Sequence, residues 1–249
     1  VKLPKNFILE RHAVLDSTNT EAKRRAEDGA LSGVVVLADE QRSGRGRMGR
    51  TWVSEPGNLY ASLILRPNMT LARAAPYGFV AGLAIAESIA SFLPNGTPVQ
   101  CKWPNDVLIN GKKVSGLLLE AAPVKRPEDH PSWLVLGFGV DVRSHPVETE
   151  WPATSLSAEG GSDATVVDIL NAFWVSFLKW AQVYETVGFS SIQRAWSNRA
   201  WRLGGEIRVR AAGTDIAGLF EGLDETGALV LLTGAETRRV TAGDVFFDQ

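Results

Sequence analysis

The residues best equipped for chemistry lie in two short stretches. In Gly44-Arg45-Gly46-Arg47-Met48-Gly49-Arg50, glycine alternates with arginine. Glycine lets backbone amides approach a ligand closely and admits positive backbone torsions. Arginine supplies rigid, multidentate donors to carboxylate or phosphate. Together they suit a loop that wraps an anion. A solvated basic turn is the plainer reading. An arginine-glycine RNA contact is a third, although such segments are usually longer and repetitive. The terminal Gly-Lys-Ser/Thr of a phosphate-binding P-loop is absent, and no helix follows at once as in a dinucleotide fingerprint. Trp52, just beyond, either covers a planar ligand or anchors the loop's C-terminal side.

The second stretch, Lys102-Trp103-Pro104-Asn105-Asp106, sets a cation, an aromatic, a rigid break, an amide and a carboxylate side by side, and Lys112 and Lys113 follow. A strand lysine entering a pocket can neutralise charge on a transferring phosphoryl group. Asp106 could act through magnesium or simply close an Asx-type turn. Lys112 and Lys113 are adjacent on a strand and so point to opposite faces, which leaves at least one of them to solvent.

The elements that must position these residues follow from periodicity and punctuation. Phe7 to Leu15 reads as a strand. A helix then runs from about Asn19 to Glu27, with a capping box suggested by Thr18 and Glu21. Gly33 to Ala38 is a buried strand, residues 41–57 form a loop, and Leu59 to Leu65 returns to strand. Alanine-rich residues 71–92 predict one long helix, with Pro76 tolerated near its start. Asn110-Gly111 is a hairpin signal between residues 107–109 and 112–119. Trp133 to Val140 is an apolar strand, and helices are expected over 165–183 and 188–200. Beyond Trp201, five short glycine-punctuated strands imply a small barrel. The pattern is α+β with an all-β appendage, divided as residues 1–200 and 201–249.

Composition narrows the function classes. The 249 residues carry a formal net charge of −2, so any positive patch is local and a chain built for a nucleic-acid backbone is disfavoured. Cys101 is the sole cysteine, which excludes an internal disulfide framework, and the three histidines are widely separated. A reducing cytosol is the simplest compartment. No apolar run approaches membrane-spanning length. Most of the eight tryptophans are expected in the core or at a domain interface.

Taken in order, Asp16-Ser17-Thr18-Asn19, the Gln41 to Trp52 segment, Gly57-Asn58-Leu59-Tyr60, Lys102 to Asp106, Lys113-Val114-Ser115-Gly116 with Glu120, Gly137-Phe138-Gly139-Val140 and Thr154-Ser155-Leu156 form a specific pattern. Over nearly its whole length the chain resembles the bacterial biotin–[acetyl-CoA-carboxylase] ligases. That resemblance implies a class II synthetase-like catalytic domain followed by a small SH3-like barrel. It further implies two steps, formation of biotinyl-5'-adenylate from biotin and ATP with Mg2+, then transfer of biotin to a lysine of a biotin carboxyl carrier protein. The related lipoate or octanoate protein ligases are the rival enzyme class.

The resemblance also implies roles. Ser17, Thr18 and Asn19 would lie by the biotin head group, with Gln41 facing the ligand. Gly44, Arg45, Gly46, Arg47 and Arg50 would fold over biotin and the adenylate phosphate, and Trp52 would lie near the adenine. Lys113, with Arg47, would be catalytic and contact the carboxylate and the α-phosphate. Lys102 and Asn105 would shape the nucleotide side, with Asp106 toward the metal. Ser115, Gly116, Gly137 and Gly139 would admit the ligand by their small size. Two positions depart from the pattern. Met48 stands where an arginine is common, and Asp141 where asparagine is usual; an ionised carboxylate cannot donate as an amide does. The catalytic pattern begins almost at once, so the DNA-binding domain of the family's repressor members, and operator binding, are not expected. Homodimerisation is.

Overall fold

The structure is a computed structural model that describes residues 1–211 and 213–246; residues 247–249 of the expected C-terminal domain lie outside the described residues. Its first unit is a seven-stranded sheet ordered β1-β2-β3-β7-β6-β5-β4. The strands are β1 (Ile8–Leu15), β2 (Val34–Gln41), β3 (Leu59–Leu65), β4 (Val99–Lys102), β5 (Asp106–Ile109), β6 (Lys112–Ala121) and β7 (Leu134–Val140). β1 runs parallel to β2, and the remaining pairs in this sheet are antiparallel.

Both faces of the central strands are covered, which is why they read as continuous apolar runs rather than alternating ones. On one face α1 (Thr18–Glu27) packs Ala22 and Ala26 against Val34, Val36, Ile64 and Val135. On the other, α3 (Tyr77–Ala90) and α4 (Val166–Val187) bury Leu83, Ile89, Phe173 and Trp174 against Val35, Leu37, Leu136 and Phe138. Phe138 and Phe173 lie with ring centroids 4.3 Å apart. Each such side chain contributes roughly 1.5–3 kcal/mol of burial. α5 (Phe189–Ser197) completes this layer.

Two local expectations are corrected. The long helix over 71–92 is two helices, α2 (Leu71–Ala74) and α3, because Pro76 has no N–H for the carbonyl one turn back and so starts a helix rather than continuing one. The N-cap of α1 is Ser17, whose extended backbone lets its side chain accept from the Thr20 N–H. The Thr18 hydroxyl is instead turned toward Gln41 and Ser62. A true capping box does occur at Thr165 and Asp168 of α4. The Asn110-Gly111 hairpin is present, with φ of 51° and 77°, both in the region its primed turn requires.

The second unit is a five-stranded antiparallel sheet ordered β11-β10-β9-β8-β12, consistent with an SH3-like fold. Its strands are β8 (Glu206–Ala211), β9 (Thr214–Leu223), β10 (Leu229–Thr233), β11 (Glu236–Val240) and β12 (Asp244–Phe246). It is no mere appendage. Phe220, Leu229 and Val245 belong to the same buried cluster as α3 and α4, and the Trp103 indole donates to the Gly227 carbonyl at 3.0 Å. The chain at 199–201 also runs along the outer edge of β4, through Cys101 N–H to Arg199 C=O at 2.8 Å and Trp201 N–H to Cys101 C=O at 2.8 Å.

Candidate active site

The arginine loop closes on itself before it meets anything else. Arg45 bridges Thr51, the Gly46 N–H donates to Arg50 C=O at 2.7 Å, and the Trp52 N–H donates to Gly44 C=O at 2.9 Å. A Cβ on Gly44 would meet the Trp52 carbonyl oxygen at 2.3 Å. Gly44 is therefore the residue that lets the hairpin close, and it lines neither principal cavity. At the tip Met48 has φ of 54° and is exposed, so its lack of charge is felt at the rim only.

Side chains then tie the loop down. Arg45 pairs with Glu120 at 3.0 Å. Arg47 donates to Asn105 Oδ1 at 3.2 Å and to the Gly243 carbonyl at 3.3 Å, and Arg50 pairs with Asp244. Burial holds the Arg47 pKa below its ordinary value, partly offset by Asp244 and Asp106. Glu120 is pushed up by burial, yet bonds from Asn19 and Lys23, together with the charge of Arg45, bring it net below the usual carboxylate range.

Beside the loop, the start of α1 and the middle of the sheet form a polar floor. Gln41 Oε1 accepts from the Thr18 N–H at 2.7 Å and from its hydroxyl at 3.1 Å, while Gln41 Nε2 donates to Ser54 Oγ at 2.9 Å. Buried Ser62 donates to Asn19 Oδ1 at 2.6 Å, and its Oγ lies 2.9 Å from Thr18 Oγ1. Asn19 Nδ2 in turn reaches Glu120 at 2.9 Å. This mutual satisfaction fixes Gln41 and Thr18 as the frame of the pocket.

Lys113 owes its direction to an irregularity in β6. The register against β5 shifts between Val107–Ser115 and Leu108–Lys113, so Lys113 and Gly116 reach the same cavity, which strict alternation would forbid. The Lys113 ammonium lies 2.7 Å from Asp106 Oδ1, and Lys102 lies 3.4 Å from Asp106 Oδ2. Burial pushes Asp106 up, but the two lysines outweigh it and hold the carboxyl below its ordinary range. Burial also lowers the Lys102 pKa, opposed by Asp106. Neighbouring Lys112 pairs with Glu159 at 2.9 Å on the other side of the strand.

Two cavities open here. The first, about 100 Å³, is lined by Ser17, Thr18, Asn19 and Gln41 on the helix side and by Arg45, Gly46, Arg47 and Arg50 on the loop side, with Asn105, Gly116, Gly137 and Gly139 on the floor. The second, about 240 Å³, is lined by Lys102, Asp141, Trp151 and Phe246. Both share Arg50, Thr51, Trp52, Asp106, Lys113 and Asp244. Lys102 Nζ lies 4.0 Å from the centre of the Trp151 ring.

Several expectations change. Ser115 is fully buried and donates to the Gly139 carbonyl at 2.6 Å, so it braces β6 on β7 and lines neither cavity. Asn105 faces the first cavity, away from the Trp151 side. The missing Cβ of Gly137 is filled by Asn19, whose Oδ1 would lie 1.8 Å away. That of Gly139 is filled by the Trp52 indole at 2.6 Å. Trp52 thus lies across Gly116 and Gly139 at the partition and lines both cavities, while Trp151 and Phe246 line the second alone. The buried Trp52 Nε1 has no hydrogen-bond partner, an unmet donor in the shared wall.

Sequence reasoning missed Asp244, Trp151 and Ser62 as site residues. A serine inside the apolar run Leu59 to Leu65 was a usable signal for the last. A resident magnesium site does not fit the donors. Asp106 is held by two ammonium groups, and no cluster of three or more His, Cys, Asp or Glu gathers among the described residues.

A polar cavity and an aromatic one meet at Lys113, with Arg45, Arg47 and Arg50 around the first, an arrangement suited to holding two anionic groups side by side. Residues 3–198 match the biotin/lipoate A/B protein ligase family, and residues 203–248 match the biotin protein ligase C-terminal domain. A biotin–[acetyl-CoA-carboxylase] ligase of Paracoccus denitrificans is 38% identical over 93% of this chain and 97% of its own length. The bifunctional ligase/repressor BirA of Bacillus subtilis is 34% identical over 94% of this chain and 72% of its own. The biotin protein ligase of Aquifex aeolicus, solved in complex with biotin and ATP, superposes with a TM-score of 0.80 at 29% identity, covering 96% of this chain and 97% of that one. The chain belongs to the biotin protein ligase family, and these relatives favour biotin over the lipoate alternative.

Proposed function

We propose that the chain activates biotin with ATP and passes the biotinyl group to a lysine of a biotin carboxyl carrier protein. The observation that carries the reading is the seam at which the two cavities meet, with Lys113 between them. Biotin takes the first cavity, its ureido head against the Ser17–Asn19 frame and its carboxylate toward Lys113. The nucleotide takes the second, its base among Trp151 and Phe246. A carboxylate oxygen then attacks the α-phosphorus, and the bond to pyrophosphate breaks. Lys113 and Arg47 stabilise the charge that builds on the phosphoryl oxygens. In the second step the acceptor ε-amine attacks the acyl carbon and AMP leaves.

Magnesium would enter with ATP, bound through the substrate's phosphates and water, and would offset phosphate charge. Cytosol supplies ATP and keeps the buried thiol of Cys101 reduced. A homodimer formed by sheet extension would use β1, since the edge of β4 is covered by residues 199–201 while Ile8 and Val14 of β1 are exposed.

The test is ATP–pyrophosphate exchange with biotin or lipoate supplied separately, alongside Lys113→Ala. Exchange with biotin alone, lost in the variant, supports the assignment. Exchange with lipoate alone, or with neither in folded protein, overturns it.

A further inference from the structure

We propose that Asp244, carried by the C-terminal barrel, is a positioning residue of the adenylation site that keeps the arginine loop in register with both cavities. The proposal rests on the biotin-ligase reading above. Asp244 has a rigid mount. Its strand β12 pairs with β8 through Asp244–Arg210, Val245–Val209 and Phe246–Arg208, and Val245 is buried in the common core. Its partners have a soft one. Arg47 and Arg50 sit on a loop whose flanking glycines give the backbone little stiffness of its own.

The carboxylate bridges the two. Arg50 Nη2 donates to Oδ2, Arg47 Nη1 lies 3.9 Å from Oδ1, and Arg47 also donates to the carbonyl of Gly243 next door. Other side-chain ties of the loop to the catalytic sheet and α1 are Arg45–Glu120, Arg45–Thr20 and Arg47–Asn105. The barrel therefore supplies anchorage that the catalytic sheet does not duplicate for Arg50. An exposed ion pair would do little, but the Asp244 side chain is only 12% exposed and lines both cavities. Orienting two guanidinium groups at the place where carboxylate and phosphate must meet holds the bound substrates in position, a contribution to binding in the ground state and the transition state alike. Asp244 touches the arginines rather than the reacting atoms.

The experiment compares wild type, Asp244→Asn, Arg50→Gln and the double variant in ATP–pyrophosphate exchange, and measures how much biotinyl-adenylate escapes into solution. Removing one charge-assisted contact is expected to raise the biotin KM about tenfold with kcat changed less than about twofold, and to increase free adenylate. Arg50→Gln, on an exposed loop, should reproduce this without touching the barrel. The double variant should be no worse than either single one, and Asp244→Glu should recover part of the retention. Unchanged KM and retention in Arg50→Gln, additive losses in the double variant, or a fall in kcat at unchanged KM would overturn the proposal. Wild type inert toward biotin would instead sink the functional reading itself.

Discussion

Consider Asp141→Asn, a substitution that removes a charge and almost no volume. The Asp141 carboxyl is 3% exposed, at the end of β7 on the wall of the second cavity. Its one hydrogen bond from a side chain is long, 3.5 Å from Asn58 Nδ2. Burial pushes its pKa up to about 8 from an ordinary 3.8, with Lys113 pulling the other way. The native state thus holds this proton more tightly than the unfolded chain, so stability falls as pH rises from near 3.8 to about 8 and is then flat. At roughly 1.4 kcal/mol per unit, the cost of ionisation is about 4 kcal/mol at pH 7. A buried amide returns part of that gain, on the order of 1–2 kcal/mol, because its own hydrogen bonds are incomplete. The variant should therefore be more stable by about 2–3 kcal/mol at pH 7, a Tm rise of roughly 5–10 °C for a chain of this size. Urea unfolding of both proteins at pH 5.5, 7 and 8.5 measures the difference. It should widen by about 3 kcal/mol between pH 5.5 and 8.5. A difference constant across that range, or a destabilised variant at pH 8.5, would refute the reasoning.

Other substitutions have equally definite outcomes. Lys113→Ala should lower the exchange kcat by about 10²–10³-fold with the fold intact by circular dichroism; a loss under about threefold would remove Lys113 from the chemistry. Gly139→Ala places a methyl 2.6 Å from the Trp52 indole, so the ring must leave the partition. Biotin KM should rise and Trp fluorescence should shift, with unfolding displaced by about 1–3 kcal/mol. Trp151→Ala should raise the ATP KM about tenfold through lost stacking and leave the biotin KM within about twofold.

Much of this could be read before any coordinates. The β3 strand was legible over its full span because burial on both faces leaves an unbroken apolar run, and the Asn110-Gly111 turn because few other residues accept its torsions. The arginine loop stood out by composition, and it does line the site. What escaped depends on relations between distant segments. The shifted register of β6 that aims Lys113 has no one-residue signature. Gly137 and Gly139 suggested room for a ligand, whereas their space is taken by Asn19 and Trp52. Asp244 is one acidic residue among many short strands, and it becomes part of the site only through a partner 194 positions earlier.

That separation bears on how the enzyme comes into being. The hairpin of the arginine loop closes through contacts a few residues apart. Its anchor belongs to the third residue from the end of the described chain, and the covering segment of β4 is made about a hundred residues after β4 itself. Such distant pairings slow folding, because loop closure must precede the contacts that reward it. A chain still emerging from synthesis therefore has the arginines but not their mount. A chain that stops short of Asp244 lacks the carboxylate that holds Arg50, and is poorly fitted to retain a reactive adenylate.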